Sequence, residues 1–259
     1  MIARNEEAVI EGCLKSLRNQ TIELVLVVVN DGSSDRTAQI SLRYADMVVN
    51  LPRHEENWGG QPELARIFNA GFNVLKDNDL RYVLISGSDS IYPPSYVQEV
   101  IGRMRDEGIV LASGTAKGEV SRSLSPRGSG RIVDARWFRT VGFRYPENYG
   151  FEVYPIYKAL SEDRKVSIFS DLTFTLSRGT VLSNRKAYLW GKGMRALNYW
   201  WLYAFGRAVL VGLRHPSKGL ALLKGYVSHA SEQYEDIKEF VPLLQKRVLI
   251  KRVKEILEL

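Results

Sequence analysis

A doubly wound α/β fold follows from three observations in this sequence. Apolar residues recur at helical spacing over 6–18 and 63–76, short β-branched runs alternate with those helices, and two acidic turns, "NDGSSD" and "SGSDS", each follow such a run. Helices interleaved with strands that read apolar throughout form a sheet covered on both faces, with its ligand crevice beyond the strands' carboxyl ends. Both acidic turns are thereby expected at one mouth.

Each element has its own signature. "EEAVIEGCLKSLR" sets Val9, Ile10, Cys13, Leu14 and Leu17 on one helical face, with acids in the first turn and bases in the last. "LVLVVV", Leu24 to Val29, predicts a buried strand, "DGSSDRTAQISLRYA" a tight turn and a helix, and Met47 to Leu51 a short strand. "ELARIFNAGFNVLK" predicts a helix with Leu64, Ile67, Phe68, Phe72 and Leu75 inward, followed by the strand "RYVLISG". From residue 113, "SGTAKGEVSRSLSPRGSGR" reads as a mobile loop. Then come "IVDARWFRTVGF", a helix starting near Glu152, and "KVSIFSDLTFTL" as one or two strands. The body is expected to end near residue 180, with a helical extension over 181–259.

Composition narrows the function classes. With 45% apolar and 25% charged residues among 259, the chain is globular and builds a core easily. The single cysteine, Cys13, excludes an internal disulfide framework, and its place on a helix face predicts core packing. "MIARNEEAVI" is too charged for a signal peptide, so a cytoplasmic location is expected. Residues 178–259 hold 15 Lys/Arg against 6 Asp/Glu, whereas 1–177 hold 21 against 23. A near-neutral body with a basic tail points to an anionic partner for the tail.

Two acids stand out by position. Asp31 lies just past a buried strand, where an acceptor can read the N–H edge of a base, while Asp35 suits a helix N-cap. Asp89 ends the strand "LISGSD" before Pro93-Pro94, as a metal ligand or a turn acid.

"ARNEEAVIEGCLKSLRNQ", "VLVVVNDGSSDRTAQI" and "LISGSDSIYPPSYV" resemble, in order and spacing, the landmarks of family 2 glycosyltransferases, inverting nucleotide-sugar enzymes of the GT-A fold, over residues 2–180. The resemblance implies a GT-A, Rossmann-like mixed sheet and a donor such as a UDP-, GDP- or dTDP-sugar. It implies that Ala3, Arg4 and Glu6 border the nucleotide, that Asp31 accepts from the base, and that Ser88 and Asp89 belong to the diphosphate and metal site, with Asp89 ligating Mg2+ or Mn2+. Arg178 stands where relatives carry a basic residue after the last core strand and would bind the diphosphate. Arg66 and Asn69 are candidates on the pocket-lining helix, although a solvated helix face also explains them.

The chain departs from that pattern in three places. Relatives carry an acid at both ends of the motif at 87–89, whereas this chain reads Gly87-Ser88-Asp89. One carboxylate suffices if the diphosphate supplies further oxygens, because Mg2+ usually takes one or two carboxylates plus phosphate and water. Relatives also have a hydrophobic strand before "ARNEE", where only Met1-Ile2 stand, so the start is not the native one or the strand comes from elsewhere. Of the acidic pair opening a helix in relatives, Phe151 replaces the first and Glu152 remains, which makes Glu152 the expected base and Glu147 its fallback. A dipole-favoured helix start is the other reading of Glu152.

Arg127, Arg131 and Arg136 flank the Gly/Ser loop and are candidates to clamp an acceptor phosphate. In the extension, "AYLWGKGMRALNYWWLYAFGRAVLVGL" mixes aromatics with bases over 187–213, and 217–227 follows as a second helix. The apolar run is short and broken by Arg207, which excludes a bilayer crossing and favours a helix in the headgroup region of an anionic membrane, beside a glycan or polyprenol-linked acceptor. Packing on the body or a partner is the alternative, and no nucleic-acid motif is present. A peripheral place on the membrane's inner face follows. The competing functional reading is a catalytically silent nucleotide-sugar-binding or scaffold protein.

Overall fold

The computed structural model describes residues 1–119, 126–179, 182–228 and 232–257, the side chains of 251–257 excepted. Two compact units form: one of Met1–Asn57, Arg66–Tyr145 and Asp163–Gly179, the other of Trp58–Ala65, Pro146–Glu162 and Thr180–Leu259.

The first unit opens with β1 (Ile2–Ala3), α1 (Ile10–Arg18), β2 (Val27–Asn30), α2 (Thr37–Tyr44) and β3 (Met47–Asn50). These strands make a parallel sheet in the order β1-β2-β3. Helix α1 begins at Ile10 rather than at residue 6. Backbone N–H groups of Asn5, Glu6 and Glu7 instead donate to Ser33, Thr37 and Asp35, which holds residues 5–7 in a turn. Strand β2 likewise starts at Val27, later than Leu24.

α3 (Pro62–Leu75) leads to β4 (Tyr82–Ile85), followed by β5 (Ser90–Ile91), α4 (Tyr96–Glu107), β6 (Ile109–Ala116), β7 (Arg131–Asp134), α5 (Ala135–Thr140), α6 (Tyr154–Ser161) and β8 (Lys165–Leu176). The second sheet is mixed, in the order β4-β7-β6-β8-β5. Residues 113–116, expected in a loop, continue β6 and pair with β7 and β8; residues 120–125 of that stretch lie outside the described residues. "KVSIFSDLTFTL" is one strand, with a ladder irregularity opposite Ser113–Thr115.

Ile10, Cys13, Leu14, Leu17, Val28, Val97, Val100 and Ile132 are at the centre of one buried core. Beside it, where β1 is only two residues long, Ile2, Val27, Phe68, Phe72 and Leu84, with Glu23, Asp79, Arg81 and Arg105, line a cavity of about 490 Å3. The Met1 amino group donates to Val27 O (2.9 Å) and Met1 O accepts from Val29, so the β1–β2 ladder begins at residue 1.

The second unit adds α7 (Asn184–Ala196), α8 (Trp201–Arg214), α9 (Pro216–Val227) and α10 (Phe240–Leu257) to α6. The single helix expected over 187–213 is broken at Asn198, which takes a left-handed conformation (φ 58°) and donates from Nδ2 to Tyr234 O at 2.7 Å. No helix among the described residues is long and apolar enough to cross a membrane.

Candidate active site

At the end of β2, the chain turns at Gly32 (φ 62°), where a Cβ would stand 2.6 Å from the carbonyl oxygen of Pro52. Only glycine gives both the left-handed conformation and that approach. The turn leaves Asp31 buried, with its N–H donating to Ala3 O at 2.9 Å. Its carboxylate meets His54, whose Nε2 lies 3.0 Å from Oδ1. Arg4 Nη1 lies against the imidazole, 2.9 Å from Nδ1 and 3.3 Å from Nε2, and Glu56 Oε2 stands 3.5 Å from Nδ1. Arg4 also donates to the carbonyls of His54 and Glu56. Arg4, Glu56 and Asp31 thus gather around one imidazole, with Asp31 at its Nε2.

The N-cap of α2 is Arg36, one residue later than expected, and Asp35 before it accepts from the Thr37 N–H at 2.9 Å and the Glu7 N–H at 3.0 Å. Partial burial raises its pKa, but donors from Thr37 and Glu7 outweigh this and hold the carboxyl below its ordinary value.

At the end of β4, Ser86, Gly87 and Ser88 lead to Asp89. A hydroxyl network underlies this loop. Gly87 N–H donates to Ser129 Oγ (2.8 Å), Ser129 and Ser90 hydroxyls lie 2.6 Å apart, and Tyr92 OH donates to Ser86 Oγ at 3.0 Å. From below, Cys13 Sγ donates to Gly87 O at 3.3 Å, and burial pushes that thiol up to about 11. Arg178 reaches over the loop: its Nη2 donates to both Glu6 oxygens (2.7 and 2.6 Å), while Nε is 3.9 Å from Asp89 Oδ2. Glu6, Asp89 and Arg178 are therefore one cluster.

Among the described residues no three His, Cys, Asp or Glu side chains gather as a metal cage. A Cβ on Gly87 would come within 3.1 Å of Asp89 Oδ1, so the absent side chain leaves open the place beside that carboxylate. Asp89 with Glu6 nearby suits a hard cation that takes its remaining oxygens from a bound diphosphate and water.

Several candidates have other work. Asn69 is buried and clamps the Tyr145 backbone, donating to its carbonyl (2.9 Å) and accepting from its N–H (2.8 Å), which makes it a brace rather than a pocket residue. Arg131 is buried, donating to Pro126 O at 2.7 Å and to Tyr145 OH at 3.4 Å, and is not placed to clamp an acceptor phosphate from solvent. Arg127 pairs with Glu119, and Arg66 and Arg136 are exposed on α3 and α5. Glu152 belongs to the second unit, half-buried in a turn that ends before α6 begins at Tyr154, and Phe151 beside it is buried. Glu147 is exposed in the same unit.

Sequence reasoning missed His54 and Ser129. Neither lies in a periodic segment, and each meets the site through contacts more than 20 residues apart in the chain.

The family model for Glycosyl transferase family 2 matches residues 1–160. EpsH of Bacillus subtilis (strain 168) is 32% identical over 105 residues, a match covering 40% of this chain but 28% of EpsH. Among solved structures, S. aureus TarS 1-349 in complex with UDP-GlcNAc aligns with a TM-score of 0.55 at 18% identity, over 73% of this chain and 63% of that one. The mannosyltransferase PcManGT from Pyrobaculum calidifontis, in complex with GDP-Man and Mn2+, aligns with a TM-score of 0.55 at 15% identity, over 88% and 68%. At such identities the structural likeness is one of fold, the GT-A arrangement.

Proposed function

The chain belongs to glycosyl transferase family 2, and from that premise we propose that it transfers a sugar, with inversion, from a nucleotide-diphosphate sugar to a hydroxyl or phosphate of a glycan or polyprenol-linked acceptor. The observation that carries this reading is that Asp31 follows β2 with its carboxylate on His54, while Asp89 follows β4 on a loop braced by Ser129 and approached by Arg178. Complexes of TarS with UDP-GlcNAc and of PcManGT with GDP-Man and Mn2+ support a nucleotide-sugar donor in this fold.

In this reading Asp31, oriented by His54, accepts from an N–H of the base, and the Ala3 and Arg4 backbone borders the nucleotide. Asp89 would hold Mg2+ or Mn2+, with Glu6 and Ser88 at its rim. Bound there, the cation neutralises charge on the departing diphosphate. Arg178 leaves Glu6, which it holds through the single nitrogen Nη2, to bind the same phosphates with its whole fork. Arg66 lies on the pocket-lining helix. Glu152 takes the proton of the acceptor hydroxyl as the anomeric carbon gains oxocarbenium character. The protein works on the cytoplasmic side, peripheral to the membrane that carries its acceptor.

Incubating the protein with Mn2+ and a panel of UDP-, GDP- and dTDP-sugars tests this directly. Nucleotide release above background with one donor is expected. Background release with all of them, together with unchanged thermal stability, would leave no donor site; a stability rise without release would favour the silent binding protein, since ligands stabilise the state they bind.

A further inference from the structure

Helix α8 is inside out. Its small residues Ala204 and Ala208 are buried, and it packs so closely on α9 that a Cβ on Gly219 would lie 2.6 Å from Ala208 O and 2.6 Å from Gly212 Cα. Its large residues point the other way. Trp201, Leu202, Phe205, Val209, Leu210 and Leu213 are 40–77% exposed. At 3.6 residues per turn these six cover about half the helix circumference. A surface helix of a soluble protein has the opposite arrangement.

The charge around this face is one-sided. Residues 182–228 contain eight lysines and arginines and neither aspartate nor glutamate. Arg214 is exposed at the end of α8, Lys224 is exposed on α9, and Arg207 stacks over the rings of Trp190 and Tyr203 at 5.5 and 5.9 Å. We infer that the outer face of α8 docks on an anionic bilayer, with Trp201, Phe205, Leu210 and Leu213 in the headgroup–acyl boundary and the flanking bases on lipid phosphates.

Helix length, charge and exposed apolar area together select this occupant. The helix has 14 residues, about 21 Å at 1.5 Å each, and a hydrocarbon core is about 30 Å thick, so it lies in the membrane plane. A second copy would bring the exposed bases of α8 and α9, Arg214 and Lys224, against their like, which repels. A nucleic acid would satisfy the bases but leave Leu210 and Leu213 in water, whereas a lipid surface buries them at roughly 25 cal/mol per Å2. The inference deepens the peripheral location of the proposed function, and it is read without donor or acceptor, so the two fail separately.

The test is co-sedimentation with phosphatidylcholine vesicles, with and without phosphatidylglycerol, at low and high salt. The protein is expected to pellet with the anionic vesicles and to be released by salt. Leu210→Glu with Leu213→Glu should lower partitioning at least roughly tenfold with an unchanged melting temperature, because both side chains are already exposed. Quenching of tryptophan fluorescence by brominated lipid should drop in Trp201→Phe. Protein left in the supernatant at low salt, equal binding to neutral vesicles, or a double variant that binds normally would overturn the inference. So would a dimer in solution that the double substitution splits.

Discussion

The Asp31 and Asp89 corners occupy matching places, the ends of two strands of one α/β unit, yet they are finished differently. Asp31 is buried and already has His54 Nε2 3.0 Å from its carboxylate, with Arg4 against the same ring. Asp89 stands beside an open position at Gly87, and Arg178 approaches its carboxylate no nearer than 3.9 Å. A base-reading acceptor keeps one charge state and gains from being oriented before the ligand arrives. A cation site that takes its missing oxygens from the ligand gains from being left incomplete, so that ion and diphosphate bind together.

The largest test of that difference is Asp89→Asn, which should lower nucleotide release at saturating donor on the order of a hundredfold or more, in the range seen when a charge-stabilising group is lost. Affinity for the nucleoside itself should scarcely change. Asp31→Ala should do the reverse: a charged hydrogen bond contributes about 1.5–3 kcal/mol, so KM for the donor should rise roughly ten- to a hundredfold with a smaller change in kcat. His54→Ala should move KM in the same direction by about fivefold, and His54→Gln, which keeps an N–H donor, should recover most of it. If both carboxylate variants shift kcat and KM alike, the two corners do not divide the work.

Gly87→Asp sharpens the same contrast. Gly87 is not in the left-handed region, so a side chain is tolerated by the backbone, and its Cβ points toward Asp89 and Ser129. A second carboxylate there should strengthen Mn2+ binding without nucleotide by about tenfold or more, through added charge on a hard cation. Calorimetry of Mn2+ binding to both forms reads it, and equal affinity would mean that position 87 does not face the ion.

These corners were unequally legible in the sequence. Asp31 and Asp89 could be placed after strands because an apolar β-branched run fixes where a strand ends, although those strands belong to two sheets rather than the one expected. Asp35 could be set at a helix start from its place in the sequence, but the cap itself falls at Arg36. Asn69 and Arg131 were misread because their partner, Tyr145, lies 76 and 14 residues away, and burial is not a local property. His54 carried no signal in "LPRHEENWG", a segment without periodicity. The aromatic and basic character of 187–213 was visible, but not that Asn198 breaks it or that α8 turns its alanines inward, since this depends on where Gly219 lets α9 approach.

The smallest expected effect concerns Cys13, beneath the Asp89 loop. Burial pushes its thiol from 9.0 up to about 11, so at pH 8 about one part in a thousand is thiolate. The folded protein should react with a thiol reagent far more slowly than the same chain in denaturant. The sign of the pH effect follows: the folded state favours the neutral thiol, so its stabilising contribution is complete below pH 9 and is lost as pH rises toward 11. Cys13→Ala should remove that part of the alkaline decline in melting temperature while cutting the 3.3 Å bond to Gly87 O. Rapid labelling of the native protein at pH 8 would show that the floor of the Asp89 corner opens to solvent, and the contrast between a knit corner and one waiting for its ligand would then extend to the core below it.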